Sequence, residues 1–257
     1  MAGLGGRHAG ENKSVKSPIA PSSFEGGEAP RAPESNRLGL TAVLSVVYLF
    51  LALACLVQWG AAHPWARVDL FAAGYLAIRF LGSIHSLISS RRAFQSTSLR
   101  REWWGQTSNP AIVKWVILLM LGDLLVFLDY GHWHLMPSLE GPALQSLGLG
   151  LYLLAVAWQI WTDSYLARHF NGDDFREAPT IVGPFRTVRH PRYAAALLGK
   201  IALALVFASL MGWLLLLPWT LLLLNKVRAE EVHLRKIFGS RYDAYAQRTA
   251  RLVPGVY

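Results

Sequence analysis

The sequence predicts an all-α integral membrane protein with about six transmembrane helices. Three observations lead to this fold class. Apolar residues make up 53% of the 257 residues and charged residues only 16%, whereas soluble domains carry about a quarter charged residues. The charges are clustered, which leaves apolar stretches long enough to cross a hydrocarbon core of about 30 Å. The clusters themselves are mainly basic and alternate with the apolar stretches, as loops and tails of membrane proteins do.

Four predicted spans follow a polar N-terminal tail. Residues 1–37 contain too few large apolar side chains to bury a core, so we expect a disordered tail. Residues 38–164 form the four-helix region, and residues 165–257 form a separate C-terminal region. The four spans cover residues 38–59, 68–89, 111–128 and 144–161.

The last apolar region, residues 194–224, has two interpretations. As one straight helix it would measure about 46 Å at about 1.5 Å per residue, which exceeds the membrane core. The alternative is a helical hairpin that turns near residues 209–212, with Gly212 and Pro218 as possible breaks. The hairpin gives six spans and places the basic tails and loops on one side. Because basic residues accumulate on the cytoplasmic side, we favour the hairpin and expect both termini in the cytoplasm.

A basic segment, residues 183–193, comes directly before this hairpin. It contains three arginines, one histidine and two prolines. Pro191 favours an extended backbone at His190, and the arginines supply hydrogen-bond donors for a carboxylate or a phosphate. Tyr193 adds a ring for stacking. The segment therefore predicts either a ligand site or a basic loop that touches lipid phosphates.

An acidic pair, Glu230 and Glu231, follows the hairpin. Two adjacent carboxylates at the end of an apolar helix are costly without partners. They suit the hydroxyls of a ribose or a cationic group, and the alternative is salt bridging to nearby arginines. A hairpin would return this pair to the side that holds His190.

Other polar residues lie inside the predicted spans or at their ends. Arg79, His85 and Asp123 are functional candidates because ionisable groups in a membrane usually face the bundle interior. An Arg79–Asp123 pair is one possible arrangement. The alternative to a functional role is a structural ion pair, or a position nearer the membrane interface than these spans imply. His132 and His134 alone do not indicate a metal, so we expect them to anchor the chain at the interface and predict no metal site.

The motifs follow one another in a recognisable order. Gly-Pro-Phe-Arg-x-Val-Arg-His-Pro-x-Tyr is followed by the apolar hairpin, by Arg-x-Glu-Glu, and by Phe-Gly-x-x-Tyr-x-x-Tyr. This order, over about residues 165–257, resembles the isoprenylcysteine carboxyl methyltransferases and the related phospholipid N-methyltransferases. Residues 1–164 are similar to these families only in being membrane spans.

The resemblance implies S-adenosylmethionine as methyl donor, in a cytoplasmic pocket closed by the C-terminal segments. It implies that Glu231, Arg248 and Arg251 serve catalysis, the arginines by holding an anionic group of the acceptor. Members of the family often carry glycine where this chain has Ala195. The resemblance assigns cofactor binding to Gly183, Arg189, His190, Pro191, Tyr193, Glu230 and Glu231.

The acceptor implied by the resemblance is lipid-like. Carboxyl methylation of an isoprenylcysteine-type substrate is our first expectation, and phospholipid N-methylation is the alternative. A sterol-reductase-like membrane oxidoreductase and a non-enzymatic transporter or scaffold, which would use Arg79 and Asp123, are further alternatives. The formal net charge of +9 indicates contact with membrane lipids, and we expect no nucleic acid partner.

Overall fold

The computed structural model describes residues 35–94, 110–137, 140–169 and 182–255, and most of these residues are helical. Most of the predicted N-terminal tail, up to residue 34, lies outside the described residues. The all-α prediction is confirmed for the described ranges, where the β-structure is limited to one isolated bridge. The helices are α1 (Ser35–Leu56), α2 (Leu70–Phe94), α3 (Pro110–Leu128), α4 (Pro142–His169), α5 (Pro191–Val206), α6 (Leu210–Phe238) and α7 (Ser240–Arg248).

Three helices of the described part are long and apolar enough to cross a membrane. The segments are Leu70–Ile88, Pro142–Leu166 and Leu210–Phe238, and a shorter apolar helix covers Val43–Leu56. Length and apolar composition of this kind support an integral membrane protein. The total of six spans stays a prediction.

The hairpin is present, and its turn lies just before the predicted positions. Helix α5 ends at Val206 and α6 begins at Leu210. The Ser209 hydroxyl accepts a hydrogen bond of 3.1 Å from the Gly212 N–H, so serine caps the first turn of α6. Gly212 and Pro218, proposed above as breaks, both lie inside α6. Gly212 instead permits close packing, because a Cβ there would lie 2.8 Å from the Cα of Ala204.

Asp129, which sequence analysis did not single out, holds this turn in place. It begins a π-helical turn after α3 and is 1% exposed. Its carboxylate accepts hydrogen bonds from the Ser209 hydroxyl at 2.6 Å and from the Met211 N–H at 3.1 Å. The Leu135 N–H donates to its other oxygen at 3.1 Å. A carboxylate at the start of α6 is favoured because the N–H groups of the first helical turn point toward it.

An aromatic cluster packs against the turn from inside. The ring of Phe207 lies 5.2 Å from that of Tyr75, 5.0 Å from that of Phe127 and 5.3 Å from that of Tyr130, all edge to face. Helices α4 and α5 also approach closely, since a Cβ on Gly148 would lie 2.6 Å from the Val206 nitrogen. This packing fixes α5 along α4.

The expected Arg79–Asp123 ion pair is not formed. Asp123 pairs with Lys200 of α5 and accepts a hydrogen bond of 3.3 Å from the Tyr48 hydroxyl. The Arg79 guanidinium lies 5.0 Å from the centroid of the Tyr48 ring. This pair was one arrangement that the sequence allowed, and Lys200, far along the chain, forms the ion pair instead because the folding of the hairpin brings it to the Asp123 carboxylate.

Candidate functional site

The basic segment begins with a tight turn at Gly183, the first residue of a short 3₁₀-helix. Gly183 has φ +62°, a backbone conformation that is unfavourable for residues other than glycine. A Cβ there would lie 2.5 Å from Cε2 of Tyr165 on α4. Gly183 therefore shapes the turn, as the resemblance implied, and lets it pack on α4.

Gly183→Ala is expected to destabilise this turn. Gly239→Ala is the matched control, because Gly239 also has a positive φ of +53° but a Cβ there would meet nothing within 4 Å. The clash with Tyr165 should lower thermal stability and weaken ligand binding in the first variant, at a cost of about 1–3 kcal/mol. The control should show only the smaller backbone effect of about 1 kcal/mol. Equal melting temperatures for the two variants would contradict the close Gly183–Tyr165 packing.

The C-terminal segment runs beside the basic segment. Val188 and Ala250 form a parallel β-bridge. The Arg189 N–H donates to the Ala250 carbonyl at 2.8 Å, and the His190 N–H donates to the Arg251 carbonyl at 3.2 Å. These backbone hydrogen bonds attach the last described residues to the start of α5.

A tyrosine of α7 adds a side-chain contact to the same region. The Tyr245 hydroxyl donates a hydrogen bond of 2.7 Å to the Phe185 carbonyl. Burial raises the pKa of Tyr245 to about 12, so the hydroxyl stays protonated and remains a donor at neutral pH.

Glu231 lies at the centre of the site and is 1% exposed. Its Oε1 is 3.1 Å from Nε of Arg189 and 3.0 Å from Nε of Arg251, and its Oε2 is 2.9 Å from Nη2 of Arg251. Arg189 also donates to the carbonyls of Ala246, at 2.6 Å, and Thr249 at the end of α7. These charge-assisted bonds join α6, α7 and the basic segment around one carboxylate.

His190 lies between the two glutamates. Its Nε2 is 3.4 Å from Oε1 of Glu231, and its Nδ1 is 3.6 Å from Oε2 of Glu230. Nevertheless, His190 Nε2 and Glu230 Oε2 are both buried and make no hydrogen bond with the described residues. Since buried polar atoms nearly always have a partner, these two atoms mark a place for a polar ligand.

Ring and cationic groups border this place. The Tyr193 ring centroid lies 5.8 Å from that of His190, and Nζ of Lys226 lies 5.8 Å from the Tyr193 centroid. Lys226 was not predicted, although its spacing of four residues before Glu230 puts both on one face of α6. Arg192 pairs with Asp163 of α4 at 2.9 Å, a contact whose only sequence signal was an acidic residue near the end of an apolar helix.

The hairpin therefore brings most of the predicted residues together. Pro191 is the buried first residue of α5, a position where proline is favoured. Arg248 is exposed at the end of α7 and makes no ion pair or hydrogen bond with the described residues of the cluster. Ala195 is buried within α5. The residues that meet at the site are Arg189, His190, Tyr193, Glu230, Glu231 and Arg251.

Of the two carboxylates, Glu230 is the more accessible to a ligand. Its side chain is 19% exposed, and its Oε2, although 3.6 Å from Nδ1 of His190, accepts no hydrogen bond from the described residues. Glu231 is enclosed by arginines and has 1% of its side chain exposed. The site thus combines a carboxylate oxygen and an imidazole nitrogen that lie in ion-pair contacts but make no hydrogen bond with the described residues, together with an aromatic ring. Such a set suits a small molecule with hydroxyl or ammonium groups and a ring.

Comparison with known families matches part of this chain. Residues 144–241 match the model of the family described as phospholipid methyltransferase. The match runs from α4 to the beginning of α7 and includes both the basic segment and the acidic pair, while Arg248 and Arg251 lie beyond it. The search of curated proteins returned no significant match. The family resemblance inferred from the motifs is confirmed for residues 165–241, and the match also takes in residues 144–164, for which the sequence analysis found similarity only in their being a membrane span.

Proposed function

We propose that this chain, whose residues 144–241 match the phospholipid methyltransferase family, transfers the methyl group of S-adenosylmethionine to a lipid-like acceptor. The observation that carries the proposal is the meeting of His190 and Glu230 at the ends of apolar helices, each with a buried polar atom that makes no hydrogen bond with the described residues. A polar methyl donor from water and an apolar methyl acceptor from the bilayer can both reach a site at the ends of membrane helices.

The residues present fit the methyl donor. Glu230 offers an acceptor for ribose hydroxyls or for the ammonium group, His190 offers a second polar contact, and Tyr193 offers a ring face. When bound, the donor supplies an already activated methyl group on a sulfonium. The protein therefore has to align the acceptor and exclude water rather than activate the methyl group. Glu231 contributes by holding Arg189 and Arg251 in position.

The proposed membrane arrangement has six spans and a cytoplasmic site. Helix α5 starts at the site and α6 returns to it, so both ends of the hairpin lie on one side. The exposed basic residues of this side, such as Arg186, Arg228 and Lys236, favour the cytoplasmic face. A lipophilic acceptor would then enter from the bilayer while the donor arrives from water.

Carboxyl methylation of an isoprenylcysteine-type substrate is our first assignment. The Arg251 side chain is 22% exposed and its guanidinium is oriented by two contacts to Glu231. A guanidinium held in this way suits the carboxylate of an acceptor, and Arg248 supplies a second cation nearby in the chain. A carboxylate is ionised at neutral pH and needs no general base.

Phospholipid N-methylation is the second assignment. An amine acceptor must lose a proton, which calls for a nearby base. The Glu230 carboxylate, whose Oε2 lies 3.6 Å from Nδ1 of His190 and accepts no hydrogen bond from the described residues, is such a group. Parallel methylation assays with a farnesylated cysteine analogue and with phosphatidylethanolamine would separate the two assignments.

His190→Ala and Glu230→Ala are expected to weaken binding of S-adenosylhomocysteine, the demethylated product of the donor. Each variant removes a polar contact in a buried site, which corresponds to roughly a tenfold to hundredfold loss of affinity. Isothermal titration of the purified protein measures the effect. His132→Ala, an exposed histidine outside the site, should bind as the unaltered protein does. Undiminished affinity in both site variants would refute the assignment, and saturable binding of a reduced nicotinamide cofactor would favour the oxidoreductase alternative.

A further inference from the structure

A second polar cluster lies inside the helix bundle, away from the site described above. It consists of Tyr48 of α1, Arg79 of α2, Asp123 of α3, Tyr152 of α4, which interacts with Arg79, and Lys200 of α5. Lys200 lies ten residues beyond the histidine at the start of α5, which is about 15 Å along a helix. The cluster is therefore separate from the proposed methyl-transfer site, and the inference below does not depend on that function.

The cluster contains more positive than negative charge. The single carboxylate, Asp123, is 4% exposed and is already engaged by Lys200 and by the Tyr48 hydroxyl. Arg79 packs over the ring of Tyr48 and forms no direct ion pair with a carboxylate among the described residues. Arg79 and Lys200 thus share one carboxylate, which leaves an excess of one positive charge in an apolar region, where uncompensated charge is costly.

Two hydrogen-bond donors of the cluster are also unused. Nε of Arg79 and the hydroxyl of Tyr152 are both buried, and neither makes a hydrogen bond of normal geometry within the described part of the chain. The Tyr152 ring is held by Tyr75, whose ring centroid is 4.2 Å away. Since buried donors rarely lack a partner, the unused pair points to an acceptor that binds both.

The lipid-facing side of α2 offers a route to these donors. Arg79 is only partly buried as a residue. The residues that follow it, Phe80 and Leu81, are exposed, as expected of side chains that contact lipid tails. A ligand could therefore reach the guanidinium laterally from the bilayer.

We propose that Arg79 and Tyr152 bind the carboxylate of a lipophilic acid within the helix bundle. A carboxylate carries the single negative charge that balances the excess positive charge, and its two oxygens suit a guanidinium together with a phenol donor. At about 15 Å along α5 from the start of the helix, this carboxylate is not the group that would be methylated. The cluster is thus a second ligand site with its own chemistry.

Binding of cis-parinaric acid, a fluorescent long-chain carboxylic acid, tests the proposal. The purified protein is titrated in phosphatidylcholine nanodiscs, and energy transfer from tryptophan to the probe is recorded. Trp219 lies against Lys200, with Nζ 4.5 Å from the ring centroid, so a probe in the cluster should give strong transfer. We expect saturable transfer that palmitate displaces and methyl palmitate does not, because the ester carries no charge.

Arg79→Gln should weaken probe binding roughly tenfold or more. Tyr152→Phe removes only the hydroxyl and should cause a smaller but measurable loss of affinity for the probe. If Arg79→Gln does not fold, the result for Tyr152→Phe tests the proposal by itself. Arg67→Gln is the matched control, because Arg67 pairs with Glu140 at 3.0 Å outside the cluster, and it should bind the probe normally. Unaltered binding in Tyr152→Phe and in a folded Arg79→Gln, or equal displacement by methyl palmitate, would overturn the proposal. Stronger displacement by hexadecyl phosphate than by palmitate would overturn the assignment to a carboxylate.

Discussion

Replacing Glu231 by alanine is expected to disrupt the site and abolish measurable binding of S-adenosylhomocysteine. The substitution leaves Arg189 and Arg251 without the carboxylate that joins them. Removing one partner of a buried ion pair typically costs about 3–5 kcal/mol. The backbone contacts between residues 187–190 and 249–252 should loosen as a consequence. Thermal unfolding in detergent and isothermal titration measure the two effects.

Asp243→Ala provides the control for this experiment. Asp243 pairs with Arg235 at 3.1 Å, but the two side chains are 56% and 45% exposed. Exposed ion pairs contribute about 1 kcal/mol or less, so the melting temperature and the affinity should change little. The account would be contradicted if Glu231→Ala had the same melting temperature and the same affinity for S-adenosylhomocysteine as Asp243→Ala. Glu231 would then not organise the site.

The second large effect is expected from Asp129→Ala at the hairpin turn. The variant removes the acceptor for the Ser209 hydroxyl and for the Met211 N–H. A buried donor left unpaired costs about 1–3 kcal/mol, so losing several should lower the melting temperature strongly. Hydrogen exchange at the first residues of α6 should accelerate as well, because the start of the helix loses its acceptor.

Glu140→Ala serves as the comparison for Asp129→Ala. Glu140 pairs with Arg67, with about a quarter of each side chain exposed, and it makes no contact to the turn within the described residues. Its loss should leave exchange at the turn unchanged. Equal rates of amide hydrogen exchange at residues 210–213 in Asp129→Ala and Glu140→Ala would show that the Asp129 carboxylate does not fix the hairpin turn.

The sequence allowed the hairpin to be predicted, and its turn to within about three residues, but not the contacts that fix the turn. The length of the apolar region and the distribution of basic residues both required the chain to reverse. Glycine and proline drew the predicted break into α6, whereas the turn depends on Ser209 and on Asp129. Asp129 lies far away in the chain, so its contact to the turn could not be deduced from local composition.

The site was predictable in outline because the two clusters must meet if the hairpin forms. The individual side-chain pairs within the site could not be predicted from the sequence. Arg248 and Arg251 are only three residues apart, yet α7 ends at Arg248 and only Arg251 turns toward Glu231. Likewise, the choice of Lys200 rather than Arg79 as the partner of Asp123 follows from helix packing that no local pattern encodes.

Ultraviolet cross-linking of radiolabelled S-adenosylmethionine, followed by peptide mapping, tests most directly whether the two ends of the hairpin form one donor site. The account predicts label in residues 182–193 or 226–235, its loss when excess S-adenosylhomocysteine is added, and a strong decrease in His190→Ala. Label confined to α1–α4, or label that S-adenosylhomocysteine does not displace, would contradict it.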